Sequence, residues 1–412
     1  MPTSFRLPFG IGLAVAALWI GAPLDASHAA AAAPKETVIY DFLGGADGAQ
    51  PAFGSLAADS SGALYGTTSY GGQPCGCGVV YKLTPSNGGY VESVIYSGDG
   101  AGNFIAGVLV GAGGVLYFPA NGGAHGQGGV FALTPGPSGY TLSTVYSFDG
   151  PNDGSEPYGT LIEDAGGALY GTTATGGGTG CFNAGCGTVY KLTPSQGGYA
   201  ETILYRFKGG RDGFDPVSGL LGSADGTLFG TTYLGGAGEN GTAFSLSPES
   251  GGYVKRLLHA FGTTTSDGRF PNSALFADAS GALYGTTYNG GSYAYQYGTV
   301  FKLTPGKHGK HYTESIIHAF EGSDGANPLS PVILDAEGNV YGTTRSRALG
   351  GGTVFELSPT ASGYEEDVLH SFNGNDDGSG PLAGLLLQNG VLYGTTQFGG
   401  SKNLGTVFSV AL

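Results

Sequence analysis

Apolar and polar positions along this chain fall into short runs of about four to eight residues, and the runs return in the same order seven times. One run is a strand ending on an aromatic ring or a histidine. It appears as Glu36-Thr37-Val38-Ile39-Tyr40 and in copies ending at Tyr96, Tyr146, Tyr205, His259, His318 and His370. A second is Leu64-Tyr65-Gly66-Thr67-Thr68, which returns at Leu169, Leu228, Leu283, Val340 and Leu392, and in degraded form as Leu116-Tyr117-Phe118. A third is Gly187-Thr188-Val189-Tyr190-Lys191-Leu192-Thr193-Pro194, with copies from Gly78, Gly129, Gly241, Gly298, Gly352 and Gly405. A shorter apolar run, such as Gly159-Thr160-Leu161-Ile162 or Gly219-Leu220-Leu221, lies between the first and second. No stretch of useful length has a helical period.

Each repeat therefore holds four short β segments at a spacing of roughly 50 to 60 residues, as propeller blades do. They are named here A (Gly-Leu-Leu-like), B (Leu-Tyr-Gly-Thr-Thr), C (Gly-Thr-Val-Phe) and D (Glu-Thr-Val-Ile-Tyr). The chain after residue 35 begins with a lone D segment and ends after a C segment, Gly405 to Val410. Pairing these two closes a ring and removes two exposed edges. The expected fold is all-β: a seven-bladed β-propeller of four-stranded antiparallel blades, residues 35–412, closed by the N-terminal strand completing the last blade.

Composition narrows the class. There are 82 glycines without a G-X-Y period, which excludes collagen and calls for many tight turns. The net charge of −15 disfavours nucleic acid and anionic lipid as partners. Residues 1–34 read as a signal peptide and Ala-rich leader: Arg6, an apolar run Ile11 to Ile20, then Ala26-Ser27-His28-Ala29. A secreted or periplasmic protein is expected, with no integral membrane span after signal removal, and a monomer. Export permits disulfides. The four cysteines lie in B-to-C loops, and two local clips are expected, Cys75 with Cys77 and Cys181 with Cys186.

The repeated motifs Leu-Tyr-Gly-Thr-Thr, Gly-Thr-Val-Phe-Lys-Leu-Thr-Pro and Phe-x-Gly-x-x-Asp-Gly resemble the GloVer tandem repeat of exported bacterial choice-of-anchor proteins. The resemblance covers about residues 36 to 412. It implies export and a propeller-like array and carries no catalytic residues. Many members end in an anchor or sorting segment. This chain ends on Phe408-Ser409-Val410-Ala411-Leu412, so no such tail is expected.

Antiparallel order places the D-to-A and B-to-C loops on one face, where function is expected. Every D-to-A loop contains Asp-Gly, at Asp47, Asp99, Asp153, Asp212, Asp267, Asp324 and Asp377, and six continue x-x-Pro. A turn capped by Asp is preferred to a metal loop. The calcium candidate is Asn375, Asp376 and Asp377, with Asn152, Asp153 and Glu156 as a second rich loop; no other cofactor is expected. In the B-to-C loops, Tyr288, Tyr293, Tyr295 and Tyr297 suit stacking on a glycan or contact with a protein ligand. Arg345 and Arg347 form a basic pair suited to a carboxylate or phosphate. His259, His318 and His370 occupy the ring slot of strand D, one per blade, and are not expected to meet. No Gly-x-Ser-x-Gly, His-Glu-x-x-His or P-loop occurs. The expectation is a non-catalytic extracellular or periplasmic binding module. The alternative is a carbohydrate-active hydrolase or lyase working on the loop face.

Overall fold

Strand C of the third repeat, Thr188–Ser195, buries Thr188, Val189, Tyr190 and Leu192 in succession. Such a run suits a strand covered on both faces. The structure, a computed structural model, describes residues 35–412 other than 52–53, 99–100, 105, 293–295, 308–310 and 348–349. The expected leader, residues 1–34, lies outside the described residues. Strand C of the third repeat is hydrogen-bonded to Leu169–Thr173 on one side and Gly198–Arg206 on the other. Ile162–Glu163 completes this antiparallel sheet as its inner strand.

The same order builds seven blades. Numbered by their A strands, these are blade 1 (Ala57–Ala58), 2 (Leu109–Val110), 3 (Ile162–Glu163), 4 (Leu221–Gly222), 5 (Phe276–Ala277), 6 (Ile333–Leu334) and 7 (Leu386–Gln388). Blade 7 takes its outer strand from the start of the fold. Glu36–Asp41 pairs with Thr406–Ala411, with Glu36 opposite Val410 and Asp41 opposite Thr406. Ring closure is as the strand order requires.

An apolar cluster fills each blade interface. One joins Phe42 and Val407 of blade 7 to Leu64, Val79 and Tyr81 of blade 1. The Phe two residues beyond the strand D ring supplies the key contact. Phe42 meets Tyr81 at 5.1 Å, Phe148 meets Tyr190 at 5.0 Å, and Phe372 meets Phe408 at 5.0 Å, each close to edge-on. Blade 1 has Gly98 at this position, and Phe104 from the following loop occupies the space instead, 5.3 Å from Phe118.

The Leu-Tyr-Gly-Thr-Thr motif is explained letter by letter. In blade 3, Leu169 is core. Tyr170 Oη donates to Asp164 of the A-to-B turn at 2.8 Å, with Lys191 5.0 Å above its ring. Gly171 lies against the ring of Tyr190, where any side chain would collide. Thr172 Oγ1 donates to Ser218 O of blade 4 at 2.9 Å, a stitch between blades. Thr173 Oγ1 lies 2.8 Å from Thr188 Oγ1 in the same blade.

Two details differ from the sequence expectation. Strands D start earlier, at Gly89, Gly139, Gly198, Gly252 and Gly363, because the C-to-D hairpin extends the ladder. The A ladders hold only two or three residues. In all seven blades the C–D pairing also slips just before the ring residue, between Val38 and Tyr40 for example. Such a bulge re-aims the ring.

Candidate functional site

The D-to-A loops are built from the Asp outward. In blade 3's loop, Asp153 accepts from the backbone N–H of Asp149 at 2.9 Å and of Gly150 at 3.0 Å. Tyr146 Oη also donates to it at 2.7 Å. Asp47 and Asp212 repeat this with Tyr40 and Tyr205. Where the ring is His, Nε2 faces the Asp: His259 to Asp267 at 3.3 Å, His318 to Asp324 at 2.9 Å and His370 to Asp377 at 3.2 Å. These carboxylates are turn caps held by the preceding strand.

Three residues past each Asp, just before the proline, the chain takes a positive φ. The values are 54° at Gln50, 60° at Glu156, 61° at Asp215, 59° at Phe270, 57° at Asn327 and 62° at Gly380. This left-handed region is costly for side chains other than Gly, Asn and Asp. The frame around it enforces the conformation. Asp215 N donates to Cys186 O of the preceding blade at 3.2 Å, and Asp215 O accepts from Tyr233 N of its own blade at 2.9 Å. Phe270 is clamped likewise, through Asn240 O at 2.8 Å and Tyr288 N at 3.1 Å. The frame repeats while the side chain it presents changes from blade to blade.

One of these side chains, Asp215, lines a cavity of about 490 Å³. All seven blades contribute to its wall, through residues such as Ser55, Ala106, Leu161, Leu220, Pro331 and Leu382. Tyr158, Asp215, Tyr233 and Asn272 give it a polar and aromatic sector. Burial, and then the charge of Glu156, push the Asp215 carboxyl up to about 6. Burial followed by Glu156 and Asp215 raises the Tyr158 phenol. Tyr233 and Phe270 lie 5.3 Å apart with rings tilted by 33°. The Tyr233 phenol is raised by burial, then by Tyr288 and Asp215. The Glu156 carboxylate and the rings of Phe270 and Tyr288 stand beside this sector. Further out, Phe182 is 93% exposed on the loop closed by the Cys181–Cys186 bridge, with its ring 6.4 Å from Phe214.

The sequence candidates scatter around this sector. Tyr288 joins it, half-buried, and its carbonyl accepts from Asn327 Nδ2 at 3.0 Å. Tyr297 packs on the apolar cluster between blades 5 and 6. Tyr293 and Tyr295 lie outside the described residues. Arg347 Nε donates to Ser323 O at 2.6 Å, while Arg345 is exposed. Asp377 is engaged by His370 and by the N–H of Asn373, Asn375 O accepts from Gly400 N at 2.8 Å, and Asp376 is exposed. Both local disulfides are present, Cys75 with Cys77 and Cys181 with Cys186. Sequence reasoning missed Asp215, Tyr158, Tyr233 and Phe270. For Asp215 and Phe270 the available signal was the variable residue just before the proline in six otherwise matching loops, Asp-Gly-x-x-Pro.

The profile of the Gloeobacter/Verrucomicrobia repeat matches residues 28–184, 118–295 and 292–412. The chain belongs to this repeat family. This family member also resembles the extracellular domain of a B. thetaiotaomicron protein assigned as a one-component system, at 12% identity and a TM-score of 0.56. That match covers 90% of this chain, which spans 39% of the other protein's chain. A protein from Lactobacillus plantarum is similar at 15% identity and a TM-score of 0.50, over 77% of this chain and 84% of its own. At such identities the likeness shows the fold. Comparison with curated proteins gives no match. Among the described residues of this repeat protein, no helix is long and apolar enough to cross a membrane.

Proposed function

We propose that this repeat protein is an exported, non-catalytic binding module that takes a glycan at the axial mouth between blades 3 and 5. The carrying observation is the sector formed by Asp215, Tyr158, Tyr233 and Asn272 at a cavity of about 490 Å³, with Glu156 acting on Asp215 and Phe270 packed on Tyr233. That size lies within the range of small-molecule sites. Aromatic faces pack on the C–H face of a sugar ring, while carboxylates and Asn272 accept or donate hydrogen bonds at its hydroxyls. The extracellular domain among its structural relatives is compatible with such a role. Export accords with the two disulfides.

One observation favours a second reading, glycan cleavage. Asp215 is raised to about 6 by burial and by the charge of Glu156, so its carboxyl can hold a proton for a leaving group. The test is a glycan array followed by calorimetry and a reducing-end assay on the best ligand. Tyr233→Ala is expected to weaken binding at least tenfold with melting unchanged. Binding without turnover supports the module. Turnover abolished in Asp215→Asn supports cleavage. No glycan bound by the wild-type chain overturns both.

A further inference from the structure

A second, independent site lies on the outer rim, where strand D of one blade faces strand D of the next. There the Asp of six D-to-A loops meets the ring of its own D strand and a residue four before the ring on the next blade. That residue is Glu92, Glu201, Glu314, Glu366 or Glu36, and in each case its Oε1 is buried with no hydrogen-bond partner. In blade 4 the residue is Lys255 instead. Its Nζ reaches Asp212 Oδ1 at 3.0 Å, with only 6% of the side chain exposed. At this interface the chain itself supplies a cation to the pocket.

Between blades 4 and 5 the pocket changes chemistry. His259 comes from Gly252–Ala260, Asp267 from the loop, and Glu314 from Tyr312–Ala319. A ring nitrogen and two carboxylate oxygens all lie within 4.8 Å of one another. Asp267 Oδ2 is fixed by Thr263 N at 3.0 Å, which leaves Oδ1 facing His259 Nε2 at 3.3 Å. Two ligands at the usual bond lengths on a tetrahedral Zn²⁺ stand roughly 3.3 Å apart. Glu314 Oε1 is buried there with no hydrogen-bond partner. The pocket is largely buried, with His259 19% and Asp267 4% exposed.

We propose that His259, Asp267 and Glu314 bind a divalent transition-metal ion of borderline character, with Zn²⁺ or Co²⁺ chemistry, which clips the outer strands of blades 4 and 5 together. One imidazole and two carboxylates match that class of ion. The imidazole gives the Nε2 lone pair to the metal and keeps its proton on Nδ1. Three protein ligands leave a position for water. The related sets His318, Asp324, Glu366 and His370, Asp377, Glu36 share the residue types, but among the described residues only the blade 4–5 group is this close.

The experiment is a Co²⁺ titration of the metal-free chain followed by visible absorption, with Zn²⁺ melting shifts alongside. Two variants copy solutions used in other blades. Glu314→Lys imitates Lys255, and His259→Tyr imitates Tyr205. Wild type is expected to take up one more equivalent of Co²⁺ than either variant, and Zn²⁺ is expected to raise its melting temperature alone. Folded variants whose titrations superimpose on wild type overturn the site. Should both variants fail to fold, the graft Tyr205→His with Lys255→Glu decides: one additional equivalent supports the proposal, and none overturns it.

Discussion

Tyr81 and Tyr190 occupy a slot that is Phe in five blades, at Phe131, Phe244, Phe301, Phe355 and Phe408. Both hydroxyls are buried without a partner. A buried hydroxyl left unpaired costs about 1–3 kcal/mol. Tyr81→Phe and Tyr190→Phe are therefore each expected to raise stability, by about 1 kcal/mol, in denaturant unfolding. A lower midpoint in either variant would contradict this account. At this scale the sequence showed which residues recur but not how their conformations differ. Asp153 and its counterparts were readable as turn caps because Asp-Gly is a local signal. The left-handed backbone at Glu156 and Phe270 was not, since it is imposed by hydrogen bonds from neighbouring blades. In the Asn375–Asp377 run, Asp377 faces His370, seven residues back, a contact that spacing alone does not show.

At the scale of the element, the bulge in strand D turns the ring toward its Asp in six loops, and in five of them the next blade's Glu lies alongside. Burial, then Asp47, push Glu92 up to about 7. Glu201 also rises to about 7 through burial and Asp153, with Arg206 pulling the other way. A folded value above the ordinary 4.5 means the folded chain holds protons that the unfolded chain releases. This contribution to stability is complete below about pH 4.5 and is lost as pH rises through about 7. Unfolding free energy should fall from pH 5 to pH 8, and fall less in the Glu92→Gln, Glu201→Gln double variant. Equal losses in the two proteins would exclude these groups as the cause. The strand itself was legible from alternation, whereas the bulge was not, because one inserted residue leaves the apolar pattern almost unchanged.

For the whole molecule, closure depends on the pairing of Glu36–Asp41 with Thr406–Ala411. The order of the segments was enough to read this, since only a ring leaves no strand unpaired. Removing residues 35–41 exposes the edge of the last blade, and loss of the cooperative melt and aggregation on gel filtration are expected. The converse test is a permutant joining Leu412 to Lys35 through a short turn and opened between Asn87 and Gly88 in a C-to-D hairpin. It should melt like the natural order, and a disordered product would refute the equivalence of the blades. The clamped slot ahead of each proline has a wider consequence. Its backbone is held by neighbours whatever side chain it carries, as Gln50, Glu156, Asp215, Phe270, Asn327 and Gly380 attest. Six letters can thus be rewritten without touching the scaffold. Under the binding role proposed above, selectivity would diversify as a combination lock does, by resetting the dials and leaving the casing alone.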